Sequence, residues 1–132
     1  MKTLFCGLLL LICLPLAAQH QHGMLAFSDV LSRQLSDSLG SYRLVSKVME
    51  VPAGFRDTVA HYHDADLFGY VLRGKVSVGL GRASPEVFAE GQMFHEPRMT
   101  LHSLLENRGQ SSARVLLLFI IREGRREYIP AR

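Results

Sequence analysis

Two imidazoles one residue apart, His61 and His63, flank Tyr62 in a stretch that reads as extended chain. A strand sends alternate side chains to one face, so the pair would stand side by side. His102 follows 39 residues after His63, beyond two glycine-punctuated runs able to fold as antiparallel strands and return it to the first pair. Three neutral imidazoles meeting at one point suit a divalent metal, and imidazole by itself accepts iron, zinc, manganese, nickel or copper. A bare H-x-H is also common as a hydrogen-bonded or surface pair, so its weight rests on what surrounds it.

The elements that must position these rings are strands. Tyr42 to Val51 is rich in β-branched and aromatic residues and is followed by a Pro52-Ala53-Gly54 turn. Strand-like runs then recur as Thr58 to His63, Phe68 to Leu72, Lys75 to Leu80, Val87 to Ala89, Gln92 to Glu96, Leu101 to Leu105 and Ala113 to Arg122, separated by Gly, Pro, Asn and Asp. Such regular short strands predict an all-β barrel or sandwich over residues 41–132. Val115 to Ile121, seven apolar residues, predicts a strand buried on both faces. Phe68, Tyr70, Leu72, Val76 and Val78 read as core or dimer-contact residues. Residues 19–40 form an N-terminal extension, with irregular apolar spacing and scattered serines that predict mixed short elements.

Around the histidines, Gly54, His61-Tyr62-His63 and Tyr70-Val71-Leu72-Arg73-Gly74 form one cluster, and Gly91, Pro97, His102 and Asn107 form another. This arrangement resembles the two motifs of the cupin superfamily over roughly Met49 to Ile121. The resemblance implies a jelly-roll β-barrel with a divalent metal held by His61, His63 and His102. Three positions depart from the pattern. The family's glutamate ligand falls on Leu67, the glycine after the proline falls on Met99, and Asn107 sits one place late.

Leucine cannot bind a metal. Without the glutamate, a three-histidine site would keep the ion's full 2+ charge and favour anionic ligands. Asp66, next to the vacant position, could supply an oxygen after a local adjustment, although adjacent strand residues face opposite sides. His95 could line the barrel mouth, and Glu96 and Arg98 flank Pro97 on an expected loop, where Arg98 could steer an anion. Tyr62 points away from its neighbours' face.

The amino-terminal residues require separate treatment. Lys2 precedes an apolar run from Leu4 to Leu14, then Pro15 and Leu16-Ala17-Ala18, which reads as a secretory signal over residues 1–18. Its core is too short for a bilayer span. Removal would leave 114 of 132 residues, one domain's worth. It would also take both cysteines, Cys6 and Cys13, which excludes disulfides and thiol chemistry from the mature chain. His20 and His22 would then follow the new terminus. A secreted or periplasmic location follows, with no membrane attachment once the signal is gone.

The formal charge is +3 for the full chain, with the excess in Arg122, Arg125, Arg126 and Arg132 mixed with Glu123 and Glu127. No aromatic and basic interleaving points to nucleic acid as a partner. The expected partner is a small molecule, and the resemblance adds a homodimer, for which the Val115 strand would suit sheet pairing. The resemblance permits a metal-dependent enzyme of dioxygenase, isomerase or lyase type acting on a small anionic molecule. It equally permits a non-catalytic module that captures a small ligand or metal, and fold does not choose between them.

Overall fold

The computed structural model describes residues 23–34 and 40–132. The proposed signal segment, His20 and His22 lie outside the described residues. Eleven strands are seen among those described: β1 (Ala26–Gln34), β2 (Tyr42–Val51), β3 (Arg56–Asp57), β4 (His61–Tyr62), β5 (Ala65–Arg73), β6 (Lys75–Leu80), β7 (Glu86–Ala89), β8 (Met93–Glu96), β9 (Leu101–Glu106), β10 (Ala113–Arg122) and β11 (Ile129–Pro130). They form two antiparallel sheets, one ordered β1-β2-β10-β5-β8 and the other β11-β4-β9-β6-β7, with β3 also paired to β9. The chain is an all-β jelly roll.

The core lies between the sheets and is filled by the inward faces of β2, β5, β6, β8, β9 and β10. On β10 the alternation is clear: Val115, Leu117, Phe119 and Ile121 are buried, while Leu116 and Leu118 are half-buried and Ile120 is exposed on the outer face. The expectation of burial on both faces is therefore corrected, because no layer covers the outside of this sheet among the described residues. β10 is hydrogen-bonded to β2 on one side and β5 on the other, so it has no free edge for pairing with a second chain. Val76 and Val78 are in the core, whereas Phe68 and Tyr70 are half-buried and Leu72 is exposed. The last three occupy the outward positions of β5, whose inward positions hold Leu67, Gly69 and Val71.

The N-terminal segment also departs from expectation, as Ala26–Gln34 is a single strand along β2 rather than a mixture of short elements. All nine of its residues are exposed. With neither face buried, selection imposes no period-2 alternation, and that signal was missing from the sequence.

Two turns follow from backbone needs. Gly74 has φ +77 and lets β5 reverse into β6. Met99 stands where the motif asks for glycine and adopts the glycine-like φ of 59 all the same. Its amide donates to the His63 carbonyl at 2.8 Å, which ties that conformation to the histidine cluster. Buried Asn107 closes the far end of β9: its Nδ2 donates to the carbonyls of Val51, Pro52 and Ser111 at 2.9–3.0 Å, and its Oδ1 accepts from the Gly109 amide.

Candidate metal centre

β4 and β9 bring the three histidines together. His61 and His102 are paired directly across the ladder, and their rings stack with centroids 4.7 Å apart and planes 17° from parallel. His63, one residue beyond β4, meets His61 edge-on at 4.9 Å. One ring nitrogen from each of the three lies within 4.8 Å of the others.

The hydrogen bonds of these rings fix which nitrogen is available. His61 Nδ1 faces the Val59 carbonyl at 3.0 Å, His63 Nδ1 faces the Glu127 carbonyl, and His102 Nδ1 lies 3.1 Å from both oxygens of Glu96. All three partners accept, so each Nδ1 carries a proton, and in the neutral ring Nε2 then presents the lone pair. Among the described residues, His102 Nε2 is buried without a hydrogen-bond partner. A buried lone pair with no donor is costly in a folded protein, and a cation at this point satisfies it. Burial, together with the neighbouring His102 and His63, pushes the His61 imidazole below its ordinary pKa against the opposing pull of the Val59 carbonyl and Glu96. That favours the neutral form, the form that binds metal. On both counts the donor set fits a divalent ion.

Glu96 ends the strand-like run Gln92 to Glu96 as expected and is the last residue of β8, but it is only 2% exposed and not part of an open loop beside Pro97. The signal that could have found it is the alternation Met93-Phe94-His95-Glu96, in which Phe94 and Glu96 share the inward face. Tyr128 was also missed. It follows the carbonyl that holds His63, and its ring packs 4.6 Å from His61, brought there by the pairing of β11 with β4.

The remaining candidates lie elsewhere. Asp66 does not compensate for Leu67: it faces outward and meets His95 Nε2 at 3.0 Å, as the alternation of β5 requires. His95 is exposed and stacks on Phe68 at 4.5 Å, away from the barrel mouth. Arg98 is bound to Asp64, which also receives Arg125 at 3.0 Å. Tyr62 is half-buried beside Ile129 and Leu101. Leu67 is 3% exposed and faces the core.

The three rings open into a cavity of about 240 Å³. Its walls are mainly apolar, with Phe27, Met49, Leu67, Phe94, Leu117 and Phe119 prominent among them. Among the described residues, Asp57 and Glu96 contribute the only carboxylates, and no lysine or arginine lines it. Asp57 Oδ1 is itself engaged by the Val59 amide at 2.8 Å.

A family model described as a cupin domain matches residues 47–121. The chain belongs to the cupin family. Solved structures agree on the fold. This cupin resembles a double-stranded β-helix protein from Klebsiella pneumoniae, with a TM-score of 0.63 and 15% identity over 83% of this chain and 86% of that one. It resembles the cupin domain of Cnp3 from Schizosaccharomyces pombe with a TM-score of 0.61 and 19% identity, covering 74% of this chain and 64% of that one. The DMSP lyase DddQ from Ruegeria pomeroyi gives 0.58 and 18%, covering 67% and 43% respectively. The match thus spans less than two thirds of Cnp3's domain chain and under half of the lyase. No curated protein matches this cupin. Its two departures at the site, Leu67 and Met99, are met differently: the Met99 backbone keeps the glycine conformation, while Leu67 simply extends the apolar wall.

Proposed function

We propose that this protein is an exported cupin that holds a divalent metal on the Nε2 atoms of His61, His63 and His102 and presents it to a small molecule in the barrel. The observation that carries the reading is the set of three Nδ1 atoms, each facing an acceptor, with buried His102 Nε2 left unpartnered. A metal bound there would act as a Lewis acid, activate water or bind a redox partner, according to its identity. The chain's own residues do the rest. The carbonyls of Val59 and Glu127 hold two rings in the binding tautomer, Tyr128 covers His61, and the apolar wall excludes water.

An anionic substrate was expected from an ion whose charge nothing offset. Glu96 now offsets part of that charge, and the wall offers no cation. The cavity is therefore best suited to a small molecule with an apolar body and one oxygen able to reach the metal. Export rests on the sequence of residues 1–18, and a homodimer on family resemblance together with the apolar outer face of β5 and β10.

A second reading, a non-catalytic capture module, is favoured by one observation. Both carboxylates lining the cavity are already engaged, Asp57 by a backbone amide and Glu96 by His102, which leaves neither free as a general base. Elemental analysis of the untagged protein tests the metal, and turnover in a metabolite screen of the metal-loaded protein separates enzyme from capture module.

A further inference from the structure

Glu96 stands directly opposite Leu67 across the β5–β8 ladder, and both side chains point into the barrel. The carboxylate that the family motif would place on β5 is absent, and a carboxylate is present on the neighbouring strand at the same level. It is almost fully enclosed. Its nearest polar partners among the described residues are imidazoles alone, His102 at 3.1 Å and His63 Nε2 at 3.7 Å. A buried carboxylate without a cation is strongly disfavoured, so the arrangement needs positive charge close by.

We infer that Glu96 is the positioning residue of the metal centre, replacing the missing ligand from behind His102 rather than joining the ion itself. This rests on the three-histidine reading above. Two features favour positioning over ligation. Both carboxylate oxygens lie 3.1 Å from His102 Nδ1, the nitrogen turned away from the metal, and the nearer of them to the other rings stays 3.7 Å from His63 Nε2. Glu96 also lies outside the group of side chains whose donor atoms come within 4.8 Å of one another. A carboxylate behind a histidine ligand fixes its tautomer, orients its ring and raises its basicity. The negative charge lost at Leu67 is thereby returned one bond-network step further out.

The test uses zinc and the whole mature protein, with affinity measured by calorimetry and the His102 ring observed by nitrogen NMR. The wild type should bind zinc through His102 Nε2. Glu96→Gln retains an acceptor for the Nδ1 proton and should weaken binding by less than about tenfold, while Glu96→Leu should lose roughly 10–100-fold and leave His102 as mixed tautomers. Zinc on Nδ1 of His102, wild-type affinity in E96L, or equal losses in E96Q and E96L would each overturn the inference. Should E96L fail to fold, the wild-type ring signature and E96Q still decide. His61→Ala separates the two levels of the proposal. If it abolishes binding while E96L does not, the positioning role falls and the site stands; no zinc binding by the wild type removes both.

Discussion

His61 and His102 are cross-strand partners whose rings lie nearly parallel, 4.7 Å apart. Neighbouring strands are held about 4.8 Å apart by their hydrogen bonds, so this spacing is imposed by the ladder and not by the rings. The site is preorganised by backbone pairing. His61→Ala and His102→Ala should therefore each remove bound metal without unfolding the barrel. The loss should exceed the roughly 10–100-fold typical of removing a supporting hydrogen bond. Elemental analysis checks this, and unchanged metal content in both variants would refute the site.

Gly69 faces Phe94 across β5 and β8, and a Cβ there would run into the Phe94 ring. Gly69→Ala should force that ring into the cavity and cost about 1–3 kcal/mol of stability from overpacking. Denaturant unfolding measures the cost, and a variant as stable as the wild type would show that the ring has somewhere else to go.

Asn107 joins the end of β9 to the end of β2 through three donated contacts and one accepted contact, all buried or half-buried. Asn107→Ala leaves carbonyls and an amide unsatisfied and should cost about 2–4 kcal/mol, since each buried unmade hydrogen bond costs about 1–3 kcal/mol. Metal affinity should change far less than stability, because Asn107 touches none of the three histidines. Parallel melting and zinc titration would show it.

Asp64 links the site to acid stability. Burial works to raise its carboxyl pKa, but hydrogen bonds and charge from Arg98 and Arg125 outweigh that and hold it below the ordinary carboxylate value. A carboxylate with a folded pKa below its unfolded one adds stability above the unfolded value, about 3.9, and loses it as pH falls further. Asp64→Asn should therefore be less stable than the wild type at pH 7, with the gap closing below about pH 4. Urea midpoints at pH 7 and pH 3 test this; a gap of constant size would mean the ion pairs contribute nothing. Glu106, buried between Arg108 and Arg56 and likewise lowered, should behave the same way.

Much of this was legible in the residues. The strands from Lys75 to Leu80 and from Ala113 to Arg122 have the bounds their residue types and flanking turns predicted, and the three histidines lie close together as their spacing suggested. What escaped has physical causes. β1 has no buried face and so carries no pattern. Glu96 ends a strand-like run beside Pro97 and draws the eye to the loop, although its inward direction was encoded by its period-2 relation to Phe94. Tyr128 and the Glu127 carbonyl reach the site through pairing between β11 and β4, strands 67 positions apart at Tyr62 and Ile129, and no local signal announces such a contact.

Of the three acceptors that set the ring tautomers, two are main-chain oxygens, on Val59 and Glu127. Exchanging either side chain leaves the oxygen where it is. The third belongs to a side chain, so of these three acceptors only the one at position 96 can be exchanged by substitution.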